Sequence, residues 1–215
     1  CLVLDLDAFE ANVDRMAAFA RGAGMDLRPH AKTHKCSRIA LRQIAAGALG
    51  VCCATTAEAL AMSRAGVRGI HLTSPVVGKD KIAHLLEVGR RSDGVMVVVD
   101  HAANLDDIAE AARSAGIVVD VLIDIDPGMN RTGVLEDKDV FALGLRALQL
   151  PGVRYRGIQC YFGNIQHIET FEERKAAVEK LSARLRHLRG TGWRRDRANA
   201  ERSDQGAVRC RQRIP

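Results

Sequence analysis

From its first residues to about residue 190, the chain alternates between short runs of strand-forming residues and helix-length segments with one apolar face. That alternation leaves few folds open. Strands are predicted over Leu2–Leu6, Leu27–Lys32, Gly50–Ala54, Gly69–Ser74, Val95–Val99, Ile117–Asp126 and Val153–Tyr161. Helices are predicted over Ala8–Ala20, Cys36–Ala46, Ala57–Ala65, Lys79–Arg90, Ala102–Ala115, Val140–Leu150 and Phe171–Leu188. The last of these places Phe171, Val178, Leu181, Leu185 and Leu188 on one side. Strands separated by helices build right-handed βαβ units and a parallel sheet. Seven such units in a row favour a (β/α) barrel over an open doubly wound sheet. No Gly-x-Gly-x-x-Gly follows the first strand to support a dinucleotide fold. The expected class is therefore α/β, a TIM-type (β/α) barrel that stops short of closure.

Composition fits a packed domain with an aliphatic core: 47% of the 215 residues are hydrophobic, but only 4% are aromatic. The net charge of +6 is concentrated at the end of the chain, where residues 190–215 carry seven arginines against three acids. The body is close to neutral and gives no reason to expect a nucleic-acid surface. Hydrophobic residues are sparse after Trp193, and the arginines follow neither helical nor strand period. The alternation stops abruptly after a well-formed helix. This favours a shifted reading frame or a truncation over a merely disordered basic tail across 193–215. The six cysteines form no Cys-x-x-Cys pair and read as free thiols in a reducing cytoplasm. No apolar stretch reaches membrane-spanning length, and no signal peptide is visible. The chain starts at Cys1 in a strand pattern, so N-terminal residues are expected to be missing.

Four groups of residues carry chemistry. In Arg28-Pro29-His30-Ala31-Lys32-Thr33-His34-Lys35, Lys32 falls at the end of a strand, with His30 and Arg28 on the same face. A (β/α) barrel keeps its chemistry at that end, and a lysine there is placed to form a Schiff base. A surface lysine ahead of a helix is the plainer alternative. The second group is Asp124-Ile125-Asp126-Pro127-Gly128-Met129-Asn130-Arg131-Thr132-Gly133. Its turn projects Arg131 either toward an anionic oxygen or back onto Asp124 or Asp126. In the third, Gln159 and Tyr161 share a strand face, where Tyr161 is a proton donor, a ring-packing residue or core. His167 is read as a solvated loop residue. In the fourth, Thr56 is the expected cap of a helix and Thr55 faces the pocket. His71 and His84 lack partners at metal-ligand spacing and are read as structural or solvated.

These motifs, in this order and spacing over about residues 1–192, resemble the D-threonine aldolase and D-serine dehydratase-like family. Its members are fold-type III pyridoxal phosphate enzymes related to the alanine racemase N-terminal domain. The resemblance implies that Lys32 holds pyridoxal 5'-phosphate covalently and that Arg131 lies beside the cofactor ring and its phenolic oxygen. Tyr161 is then in the substrate pocket as a catalytic residue, with His30, Gln159 and Thr55 close to the cofactor. It implies that residues 1–192 are a partial barrel domain whose first strand, over residues 1–6, pairs with a separate β domain. The barrel proper then starts at Leu27 and has six strands here. Family members continue with a Gly-Gly-Gly-Thr-Gly-type phosphate loop and a β domain bearing ligands for a divalent metal (Mn, Mg or Zn), and neither follows Trp193 in this sequence. They also form homodimers, which loss of that domain weakens.

The implied activity is that of a lyase on D-β-hydroxy-amino acids, with D-threonine-type substrates cleaved to glycine and an aldehyde. The alternatives are a dehydratase or aldolase acting on D-serine or 3-hydroxy-D-aspartate, a non-catalytic cofactor-binding barrel, and an inactive remnant. The implied partner is a small D-amino acid, with neither nucleic acid nor membrane.

Overall fold

The computed structural model of the chain describes residues 3–191. Five parallel strands form one sheet: β1 (Val51–Cys53), β2 (Ile70–Leu72), β3 (Val95–Val99), β4 (Val119–Ile125) and β5 (Val153–Cys160). They lie side by side in chain order. The helices are α1 (Leu6–Gly22), α2 (Ser37–Ala45), α3 (Thr56–Arg64), α4 (Lys79–Arg91), α5 (Ala102–Ser114), α6 (Asp137–Gln149) and α7 (Phe171–Thr191). A sheet whose order never reverses is wound like a barrel and has no topological switch point. The α/β architecture read from the sequence is thus present, as part of a (β/α) barrel wall.

Strand residues alternate between two environments. Val51, Cys53, Ile70, Leu72, Val97, Val99, Val121 and Ile123 are fully or almost fully buried. They share a core with Leu60 of α3, Leu85 and Val88 of α4, Leu105 and Ile108 of α5, and Val140 of α6. The alternate residues Cys52, His71, Met96, Leu122 and Asp124 belong to the opposite, barrel-interior face. That face is where the polar motifs of the sequence collect.

Two predicted strands differ from the expectation. The strand over Leu2–Leu6 is not formed across its described part: residues 3–5 are in no regular element, and Leu6 opens α1. Asp5 is the cause. Its Oδ1 accepts the Ala8 N–H at 3.0 Å as a helix cap, and Asp7 adds negative charge to the first turn. The strand over Leu27–Lys32 is reduced to one bridge, His30 to Cys52. Its backbone still follows β1: Leu49 N–H donates to Leu27 O, Cys52 N–H to Pro29 O, and Ala31 N–H to Cys52 O, at 2.8–2.9 Å. Pro29 has no N–H to extend the ladder, and Lys35 N–H closes a turn onto Ala31 O at 2.8 Å.

The apolar face predicted along α7 is used only in part. Leu188 is fully buried, whereas Phe171 is 65% exposed and Val178 is also exposed. Beyond β5 no further strand among the described residues receives the first half of the helix. Residues 193–215, read from the sequence as a divergent tail, lie outside the described residues.

Candidate active site

Lys32 sits in the turn that follows the His30 bridge. His30 Nδ1 accepts the Lys32 backbone N–H at 3.2 Å, and His30 Nε2 lies 3.2 Å from Thr73 Oγ1. The Lys35 ammonium pairs with Glu58 Oε1 at 2.7 Å, while Glu58 Oε2 accepts the Ala54 N–H at 2.9 Å. The turn carrying Lys32 is thereby fastened to the start of α3.

The end of β4 and the loop after it are organised by two aspartates, Asp124 in the strand and Asp126 past it, each buried. Asp126 accepts the backbone N–H groups of Gly128, Met129 and Asn130 at 2.6–2.9 Å. Asp124 accepts from Thr132 Oγ1 at 2.9 Å and from Gln159 Nε2 at 3.1 Å. Burial pushes the Asp124 carboxyl up, the bonds from Gln159 and Thr132 oppose it, Asp100 adds to the rise, and Arg131 lowers it again. Gly133 must be glycine here: at φ +106° a Cβ would stand 2.5 Å from Asp126 N. Among the described residues Arg131 forms no ion pair with either aspartate. Its guanidinium lies over the Tyr161 ring, with Cζ 5.3 Å from the centroid.

Tyr161 reaches this point because β5 is bulged. Val121 pairs with Tyr155 but Leu122 pairs with Gly157, so Arg156 is an extra residue. The bulge turns odd-numbered residues after it toward the barrel interior, and Gln159 aligns with Asp124. Past the strand, Gly163 opens a short 3₁₀ segment (Gly163–His167) and packs directly under the Tyr161 ring. Gln166 Nε2 donates to the Tyr161 phenol oxygen at 3.4 Å. The Lys32 ammonium lies 5.9 Å from the centroid of the same ring.

The structure thus gathers Lys32, Arg131 and Tyr161, with His30 and Gln159 joined through Thr73, whose carbonyl accepts from Gln159 Nε2 at 3.5 Å. Lys32, Arg131 and Tyr161 are exposed. Thr55 has a different local role from the one expected. It, and not Thr56, caps α3, with its Oγ1 accepting the Glu58 N–H at 3.2 Å. The Thr-x-x-Glu spacing that marks a capping box was the signal for this. His167 is exposed, as read from the sequence, and so is His84. His71 is buried, and burial, followed by Arg28 and His30, lowers it to about 4. Cys36, Cys52, Cys53 and Cys160 are free, and burial raises the Cys52 and Cys160 thiols to about 11 and Cys53 to about 12. Burial thus favours the protonated thiol at all three. Two contributors had no sequence signal: Thr73, and Arg184 of α7. Arg184 binds Asp126 O at 3.2 Å, Leu135 O and Asp137 Oδ1, and so brackets the loop that carries Arg131.

Five parallel strands in chain order with a lysine at their rim agree with the barrel of the fold-type III pyridoxal phosphate enzymes, and the comparisons place the chain in that class. The family described as "Alanine racemase, N-terminal domain" matches residues 4–199, and the chain belongs to it. D-threonine aldolase of Arthrobacter sp is 47% identical over 184 residues, which are 86% of this chain and 48% of that protein. The crystal structure of D-threonine aldolase from Filomicrobium marinum superposes with a TM-score of 0.82 at 39% identity, covering 92% of this chain and 52% of the other. D-threo-3-hydroxyaspartate dehydratase from Delftia sp. HT23 superposes with a TM-score of 0.77 at 29% identity, covering 92% and 51%. The chain spans about half the length of the relatives it matches.

The donor set fits pyridoxal phosphate. Lys32 offers a primary amine for an aldehyde, Arg131 a permanent positive charge for an anionic oxygen, and Tyr161 an aromatic face beside both. A divalent metal is another matter. Among the described residues no three His, Cys, Asp or Glu side chains come together as ligands, so these residues do not fit a metal by themselves.

Proposed function

We propose that this chain carries the lysine-bearing part of a lyase acting on D-β-hydroxy-amino acids, cleaving a D-threonine-type substrate to glycine and an aldehyde. The observation that carries the reading is the meeting of the Lys32 ammonium and the Arg131 guanidinium on the one Tyr161 ring. When bound, pyridoxal phosphate supplies the electron sink that a carbanion at Cα requires. Lys32 Nζ is its attachment point, and Arg131 balances negative charge on its oxygens. His30 has both nitrogens engaged, so it orients the Lys32 turn and transfers no proton. Tyr161 offers its phenol beside both cations, with its oxygen accepting from Gln166. Gln159 and Thr55 belong to the cofactor surround, Gln159 through its bond to Asp124.

A dehydratase is the second reading, supported by the likeness to the Delftia enzyme. The two differ in which bond to Cα breaks: Cα–Cβ in the aldolase, Cα–H followed by loss of the β-hydroxyl in the dehydratase. The metal, the homodimer and a cytoplasmic location belong to the proposal for the whole enzyme. The free thiols support the location. No helix among the described residues is long and apolar enough to cross a membrane.

The test is direct. The purified chain is mixed with pyridoxal phosphate, and the visible band of a lysine Schiff base is followed in wild type and Lys32→Ala. A band that appears in both, or in neither, sinks the proposal. Incubation with D-threonine and manganese then separates the two readings, since the aldolase releases acetaldehyde and glycine, while the dehydratase releases ammonia and a 2-oxo acid.

A further inference from the structure

Thr73 follows β2 directly, and three parts of the sheet meet on it. Its hydroxyl donates to Cys53 O at 3.2 Å and lies 3.2 Å from His30 Nε2, and its carbonyl accepts from Gln159 Nε2. The hydrogen-bond pattern assigns every proton in this group. Lys32 N–H donates to His30 Nδ1, so Nδ1 carries no proton. Burial, and then the Lys32 charge, hold His30 below its ordinary value, so the ring is neutral at pH 7 with its one proton on Nε2. That proton goes to Thr73 Oγ1, whose own proton goes to Cys53 O, leaving no donor idle. On the other side, Gln159 bonds to Asp124, and Asp124 accepts from Thr132, the neighbour of Arg131. The bonds running from the Lys32 backbone to the Arg131 loop therefore pass through Thr73.

We propose that Thr73 is a positioning residue: its hydroxyl, spent as a donor on Cys53 O, is left to accept from His30 Nε2, which reinforces the Nε2–H tautomer and keeps Nδ1 free to hold the Lys32 backbone amide. The inference rests on the functional reading only for what Lys32 does. The mechanical part, tautomer and amide, stands on the geometry alone. A hydroxyl at residue 73 is needed because it accepts and donates at once, and valine of the same shape does neither. The backbone carbonyl that anchors Gln159 survives that substitution. The two halves of the node are thus separable by experiment.

The experiment compares wild type, Thr73→Val and Thr73→Ser. Nitrogen NMR of the His30 ring reads the tautomer, and hydrogen exchange reads the Lys32 amide. Wild type is expected to show one tautomer, protonated at Nε2. In Thr73→Val the tautomers mix, and the Lys32 amide exchanges about fivefold faster, as for loss of one ordinary hydrogen bond. Thr73→Ser restores both signals. A role in general stability alone would move the urea midpoint but not the His30 tautomer. An unchanged tautomer and amide in Thr73→Val overturns the proposal. If that variant does not fold, a folded wild type with the proton on Nδ1 overturns it equally.

A third arm adds pyridoxal phosphate and borohydride across a pH series. The Lys32 amine condenses with the aldehyde, losing water, and hydride reduces the C=N bond. The modified peptide is read by mass spectrometry. A displaced pH profile in Thr73→Val, restored in Thr73→Ser, supports the proposal. Failure of wild type to be trapped at Lys32 refutes the functional reading, while the NMR arm still decides the role of Thr73.

Discussion

Gly163→Ala tests whether the Tyr161 ring organises the site. A Cβ at residue 163 would stand 2.8 Å from Tyr161 Cε1, 2.9 Å from its hydroxyl oxygen and 3.0 Å from Cζ. Comfortable contact between such atoms is about 3.5–4.0 Å, so the ring must move by about 1 Å. The Lys32 ammonium, 5.9 Å from the centroid, is already at the limit of about 6 Å for a cation–π contact. A shift away from Lys32 breaks that contact, and a shift away from Arg131 weakens the other. Each is worth about 0.5–1 kcal/mol at an exposed site, and together they translate to about tenfold in cofactor affinity. The lost contacts also cost the fold about 1–2 kcal/mol, and part of that is returned. The backbone at Gly163 is not in the left-handed region, so alanine restricts the unfolded chain and returns about 0.4–1 kcal/mol. The assay pairs a spectral titration with pyridoxal phosphate and a urea melt. The expected result is binding weakened about tenfold with only a slightly lowered midpoint. Unaltered cofactor affinity would refute the reasoning.

Gly133→Ala places a Cβ 2.5 Å from Asp126 N and 2.6 Å from Ile125 C, against the backbone of one peptide that cannot move aside, with φ at +106°. We expect a loss of about 2–3 kcal/mol in a urea melt, combining the clash and the strained φ. For His71 the folded-state value of about 4 is below its ordinary 6.5, so the unfolded chain takes up a proton first as pH falls. Its contribution is complete above pH 6.5, is lost between 6.5 and 4, and amounts to about 3 kcal/mol at most. His30 and His34 are lowered too and act in the same direction. His71→Leu should flatten most of that slope in urea midpoints measured across pH.

The sequence made most of the wall of this fold legible, for a physical reason. Strands such as Val95–Val99 and helices such as Ala102–Ser114 are long enough for period and caps to agree. It failed where one residue outweighs a pattern. Leu2–Leu6 looks like a strand until the Asp5 carboxylate is counted as a cap, and Leu27–Lys32 looks like a full strand until Pro29 is counted as a missing donor. Lys32, Arg131 and Tyr161 were legible because their turns and strand ends have residue signatures. Thr73 and Arg184 were not. Their roles depend on which carbonyls and rings lie opposite them, and those come from chain 20 to 86 residues away.

Arg184 sets an order of assembly for the site. Lys32, His30, Thr73 and the Asp124 end of β4 come together from the first two-thirds of the chain, as each strand is added beside the last. The loop bearing Arg131 is then bracketed by a guanidinium supplied 58 residues after Asp126, from α7. During synthesis Lys32 is therefore in place well before the Arg131 loop, already folded on Asp126, gains its bracket from α7. A nascent chain halted ahead of α7 would present the Lys32 amine with the Arg131 loop still unbracketed.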